Sequence, residues 1–200
     1  TDDAGQVTAL IEGLREILID AHAKILSESA QVAAQRGMGT TLTMALVIES
    51  TVHVVHVGDS RCYLIRGGIA EQLTTDHTLA RQMVESGGLK PEDEAGSRWS
   101  NVLWNVLGGH QDGELMVEVR SVELQPGDTV ALCTDGLHRY VDGRHLAAVV
   151  GSADSPEAAC QRLVSIAKEA GGEDNITVVV SSPWAEASAE TWDDFDTAVP

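Results

Sequence analysis

Two hundred residues suffice for one sizeable domain and are too few for two ordinary ones. With 43% hydrophobic and 22% charged side chains the composition is globular, and no apolar run approaches the roughly 20 residues of a membrane helix. Thirteen basic against thirty-one acidic residues leave a formal charge of −18, which repels nucleic acid and anionic membrane surfaces as partners and suits a site that collects divalent cations.

The chain opens on an amphipathic helix. Val7, Leu10, Ile11, Leu14, Ile17, Leu18, Ala21 and Ile25 recur at three- and four-residue steps on one broad face, with Gly37 and Gly39 as the stop and Arg36 as a cation near the helix C-terminus. Short runs of strand formers follow at 40–48, 52–57, 62–66 and 69–74, separated by turn residues, and predict an antiparallel meander. A helical period returns from His77 to Ser86, then a polar stretch from Lys90 to Ser97 predicts an exposed flap, and a short helical turn is expected from Asn101 to Leu107. Strands are predicted over 115–124, 129–133 and 176–180, and helices over 143–150 and 156–170, the last with Ser155 as cap and Pro156 at its first position. Residues 1–182 are thus expected as one α+β domain, and 183–200, with Glu186, Glu190, Asp193, Asp194 and Asp196, as an acidic flexible tail that Trp184 and Trp192 could anchor.

Cysteine usage points to a reducing compartment, hence the cytoplasm. Cys62, Cys133 and Cys160 are odd in number, widely spaced and without a CxxC pair, which predicts free buried thiols. His53 and His56 fall on opposite faces of a buried strand, so they read as core histidines rather than a metal pair. His77, His110, His138 and His145 fall in or near loops, and Lys90 and Arg98 in the flap read as solvated charge.

Three acidic turns sit where strands meet loops: Asp59 after the second run, Asp135 with Gly136 after 129–133, and Asp174 with Asn175 before 176–180. If the last two strands are antiparallel neighbours, the exit of one lies beside the entrance of the other, and Asp135 and Asp174 converge on one rim. Carboxylates held together repel unless a proton or cation sits between them. Short hard-oxygen side chains suit Mg²⁺ or Mn²⁺.

Five segments in order, Gly37-Met38-Gly39-Thr40-Thr41, Gly58-Asp59-Ser60-Arg61, Leu73-Thr74-Thr75-Asp76-His77, Thr134-Asp135-Gly136-Leu137 and Asp174-Asn175-Ile176-Thr177-Val178-Val179, resemble the PP2C-type (PPM) family of metal-dependent Ser/Thr protein phosphatases, above all its compact bacterial members. The resemblance implies a four-layer α/β/β/α sandwich of two antiparallel sheets flanked by helices. It implies two Mn²⁺ or Mg²⁺ ions held by Asp135 and Asp174, a third and weaker ion near Asp59, and attack on a phosphoprotein's phosphomonoester by water bridging the two ions. By the same resemblance Gly39, Thr40, Thr41 and Arg61 are structural.

The departures bear on the site. The family's phosphate-binding Arg, acidic pair and bridging Asp precede its long helix, so here they are expected upstream of Thr1, and the first strands are expected to be absent with them. Arg139 stands where many members have a second Asp, and Asn105 where they have an Arg. The leading expectation is a protein phosphatase whose site is incomplete in this chain. Its alternative is a non-catalytic phosphatase-like binding or regulatory module.

Overall fold

The computed structural model describes residues 3–109 and 114–183. The predicted tail from 184 onward, its tryptophans and His110 lie outside the described residues. Helix α1 (Asp3–Gln31) is followed by a 3₁₀ turn, Ala33–Gln35, and strands β1 (Gly39–Thr40), β2 (Leu42–Ile48), β3 (Thr51–Val57), β4 (Arg61–Arg66) and β5 (Ile69–Gln72). Then come α2 (Leu79–Glu85), β6 (Leu107–Gly108), β7 (Glu118–Glu123), β8 (Thr129–Cys133), α3 (Asp135–His138), α4 (Gly143–Ser152), α5 (Pro156–Glu169) and β9 (Val178–Ser181).

The strands form an antiparallel sheet β2-β3-β7, a second, β5-β4-β8-β9, and a small pair β1-β6. The predicted single meander is therefore two hairpins, β2-β3 and β4-β5, one in each sheet. The chain crosses between the sheets at Gly58-Asp59-Ser60 because both hairpins are apolar on the face they turn to each other. Val52, Val54, Cys62, Leu64, Leu73, Leu124 and Val130 make that shared inner core. On one outer side, Ile11 and Leu18 of α1 cover Val55, Val57 and Leu107. On the other, Leu137, Leu146 and Leu163 from α3, α4 and α5 cover Tyr63, Ala131 and Cys133. The result is four layers, helix, sheet, sheet, helices, as the resemblance implied.

Local chemistry explains most element boundaries. Thr78, Asp142 and Ser155 cap α2, α4 and α5 by accepting from the backbone N–H three residues on, and Pro156 occupies the first turn of α5. Arg66 forks onto Asp128 at 2.6 and 2.8 Å, and Asp128 in turn accepts from the Gln125 N–H, which closes the turn before β8.

Three expectations need correction. The helix ends at Gln31, and Arg36 lies beyond a 3₁₀ turn, so it does not face the helix end. The predicted helical turn at 101–107 is not helical: Leu103 bridges to Thr78, the chain bends at Trp104 and Asn105, and Leu107 pairs with Thr40, because this segment must complete edges rather than coil on itself. The apolar face of α1 is also wider than the sheet beneath it, which leaves Leu10 45% and Ile17 62% exposed.

Truncating Leu137, buried on the inner face of α3, is expected to cost about 2–5 kcal/mol in denaturant unfolding. Leu10→Ala on the open side of α1 should change stability by no more than about 0.5 kcal/mol. Similar losses for both would contradict the layering.

Candidate metal centre

Strand β8 pairs with β9 in antiparallel register, Cys133 opposite Val178 and Val130 opposite Ser181. The loop leaving β8 therefore lies against the loop entering β9. Thr134 stitches the two: its N–H donates to Thr177 O at 3.1 Å, and its hydroxyl donates to Asn175 O at 3.2 Å and accepts from Thr177 N–H at 3.0 Å. Gly136 completes the contact, since a Cβ there would collide with the Asn175 carbonyl. These contacts bring together the neighbourhoods of Asp135 and Asp174, as the antiparallel argument required. Arg139, one turn of α3 after Asp135, pairs with Asp135 and lies 3.6 Å from Asp174, so the two carboxylates share one guanidinium.

Asp59 approaches from the crossing between the sheets and is buried. Burial, then the negative charges of Asp135 and Asp76, push its carboxyl up to about 6 against the pull of Arg139. The turn carrying it is clamped from several sides. Gly58 adopts φ +113° where a side chain would strike Thr41. The Thr41 and Ser60 hydroxyls meet at 3.0 Å, and Thr43 Oγ1 donates to Ser60 O at 2.9 Å. Gly58 exchanges two hydrogen bonds with His77, N–H to Nδ1 at 3.0 Å and O from the backbone N–H at 2.8 Å. His138 Nε2 donates to the Asp59 carbonyl at 3.0 Å. This accounts for the Gly-Thr-Thr and Asp-His segments as scaffolding.

Arg61 belongs to the same scaffold. Its guanidinium grips Asp76 through Nε at 2.9 and 3.1 Å and a second nitrogen at 2.6 Å, and also donates to Tyr63 Oη. Burial works to raise the Asp76 carboxyl, but the Arg61 hydrogen bonds and charge outweigh it and hold it below the ordinary carboxylate range.

His56, His77 and Glu118 form a second cluster whose ligand atoms lie within 4.8 Å of one another, which inspection of the sequence missed because β3, β7 and the loop before α2 are distant in the chain. Its hydrogen bonds do not fit a metal. His77 Nδ1 accepts from Gly58 N–H and from Asn105 Nδ2 at 2.7 Å, and Asn105 is oriented by donating to Met116 O and accepting from Met116 N–H. The His77 proton is thereby assigned to Nε2, which faces Glu118 at 3.9 Å and has no lone pair for an ion. His56 Nε2 faces the carbonyls of Gly58 and Thr75, both at 3.0 Å, and so also carries a proton. Asn105 thus locks a buried polar network.

At the rim the donor set is different: hard carboxylate oxygens gathered around a shared positive charge, which fits a divalent cation. An open cleft of about 870 Å³ lies over Asp59 and Asp135, lined also by Thr40, Asn101, Trp104 and Arg139, while Asp174 is not among its lining residues. Thiol chemistry is not on offer from Cys62 or Cys133, whose thiols burial pushes up to about 12.

Comparison with known proteins places the chain in a family. The model of the Protein phosphatase 2C family matches residues 5–83, and that of Stage II sporulation protein E (SpoIIE) matches 105–183. Protein phosphatase PhpP of Streptococcus pneumoniae is 37% identical over 158 residues, covering 78% of this chain and 63% of that protein. The PPM Ser-Thr phosphatase MsPP from Mycobacterium smegmatis, solved with cacodylate, is 33% identical with TM-score 0.70, covering 84% of this chain and 72% of that one. The catalytic domain of the serine threonine protein phosphatase PstP, solved with two manganese ions, is 34% identical with TM-score 0.65, covering 80% and 66%. The chain belongs to the PP2C-type, or PPM, family of metal-dependent Ser/Thr phosphatases. It spans 63% of the length of the pneumococcal relative.

Two outcomes test the site's construction. Gly136→Ala is expected to cost about 1–3 kcal/mol by forcing the two loops apart; stability equal to the unaltered protein would contradict the contact. Burial lowers His77 and His138 from 6.5 to about 4. Between those values the unfolded chain takes up protons that the folded protein refuses, so stability falls as pH drops. His56, also lowered by burial, acts in the same direction, and Asp59, raised from 3.8 to about 6, opposes the three as a single group. In chelator, the urea midpoint should fall from pH 7 to pH 4.5; a flat or rising midpoint would contradict the assignment.

Proposed function

We propose that the whole protein is a metal-dependent protein-Ser/Thr phosphatase acting in the cytoplasm in signalling, with residues 1–182 as its phosphatase domain and 183–200 as an acidic tail. The observation that carries this is the convergence of Asp135 and Asp174 through the β8-β9 register, with Asp59 near Asp135. Asp135 and Asp174 would hold two Mn²⁺ or Mg²⁺ ions, with Asp59 near a weaker third. The manganese-bound PstP relative supports Mn²⁺ as one of the ions used.

Phosphate monoesters are among the slowest substrates to hydrolyse without catalysis, so the site must both activate water and offset charge on the phosphoryl group. Divalent ions held by these aspartates would supply this, by lowering the pKa of bound water from 15.7 towards about 7 and by stabilising charge on the transferring group. The chain's own residues set the stage. Thr134 and Gly136 fix the spacing of the two acidic loops. Arg61 and Asp76 hold the start of β4 beneath Asp59. The cleft is open and broad, which suits a phosphoserine or phosphothreonine presented on a protein surface rather than an enclosed small molecule. His138 is unsuited to act as a nucleophile through Nε2, because that nitrogen donates to the Asp59 carbonyl.

Full-length protein should hydrolyse an aryl phosphate and a phosphothreonine peptide only with Mn²⁺ or Mg²⁺ present. Asp174→Ala is expected to lower kcat/KM by at least about 100-fold. Turnover that survives chelation, or that survives Asp174→Ala, would contradict the proposal.

A further inference from the structure

Arg139 places a cation inside the acidic cluster that the proposed chemistry needs for other cations. Its backbone N–H donates to the Asp135 carbonyl at 3.1 Å, so the turn of α3 itself directs the side chain back over the rim. The guanidinium pairs with Asp135 and reaches Asp174 at 3.6 Å. Its side chain is 32% exposed. With Asn101 it separates the open cleft from a second cleft of about 680 Å³ beside the flap, so it has solvent to move into. With both carboxylates ionised, Arg139 halves their combined charge.

A guanidinium and a divalent cation compete for the same carboxylate oxygens, and held close together they repel. We propose that Arg139 is an exchangeable counter-ion: it clasps Asp135 and Asp174 in the ion-free protein and releases at least one of them when a divalent cation enters. This rests on the assignment of those two aspartates as metal ligands. The ion-free site then stays assembled, and its affinity for the ion is set by the exchange. A residue that only braced the structure would weaken ion binding when removed, whereas a competing cation strengthens it.

The test is calorimetric titration of Mn²⁺ alone into the ion-stripped full-length protein and its Arg139→Ala, Arg139→Lys and Asp174→Asn variants, with thermal melts in chelator. Arg139→Ala is expected to bind Mn²⁺ about tenfold more tightly than the unaltered protein and to melt at a lower temperature without ions. Arg139→Lys keeps the charge but loses the two-pronged reach, so its affinity should fall between the two. Asp174→Asn should lose most of the binding. Unchanged or weaker binding by Arg139→Ala overturns the exchange, while loss of binding in Asp174→Asn leaves the metal centre standing. Should Arg139→Ala fail to fold, Arg139→Lys decides, and affinity equal to the unaltered protein overturns the exchange. If Mn²⁺ binds none of these proteins, or binds Asp174→Asn undiminished, the metal-centre assignment and the exchange fall together.

Discussion

The antiparallel pairing of β8 with β9 is the constraint on which the site depends. Four Cα pairs from Cys133–Val178 to Val130–Ser181 set the register. A slip by one residue would turn every side chain of β9 to the opposite face. It would also separate Thr134 from Thr177 and Gly136 from Asn175, and with them the two carboxylates that share Arg139. The helices over that sheet hold the register. Val178 and Val180 pack into the cluster built on Leu137, Leu146 and Leu163, so apolar burial on one face fixes ionic geometry at the end of the same strands.

The third carboxylate is held by different physics. Asp59 lies where the chain crosses from one sheet to the other, and its turn is fastened by a buried polar network rather than by a ladder. The His56 and His77 rings meet at a tilt of 39° with centroids 4.9 Å apart, and burial lowers both of their pKa values. Both serve a structural role through their hydrogen bonds, and burial favours their neutral form. Solvated charge thus gathers at the rim, where Arg139, Asp135 and Asp174 are partly exposed, while the buried carboxylates of Asp76 and Asp128 are each gripped by an arginine. This division fits a protein with so large an acidic excess: repulsion between carboxylates is tolerated where ions or a guanidinium can reach them.

Much of this was legible in the chain. The capped helices α4 and α5 announce themselves through Asp142, Ser155 and Pro156. The convergence of Asp135 and Asp174 follows from placing each at a strand end and pairing those strands. Pairing partners were less accessible. Nothing local distinguishes one four-strand meander from two hairpins in facing sheets, since β3 and β4 are apolar on both faces. The stretch 101–107 looked helical because its pairing with β1 and with Thr78 is non-local. Asn105 and Glu118 could not be recognised as partners of His77, because a buried network joins residues by the third dimension alone. Arg139 stood out in the chain only against the pattern the resemblance implied, and its hold on both aspartates emerges only from the folded rim.

Anomalous scattering from crystals of the full-length protein grown with Mn²⁺ tests the central claim most directly. The account predicts manganese density against the Asp135 and Asp174 carboxylates, with the Arg139 guanidinium turned away from at least one of them. Manganese bound instead among His56, His77 and Glu118, or Asp135 and Asp174 still both paired with Arg139 beside a saturating ion, would contradict it.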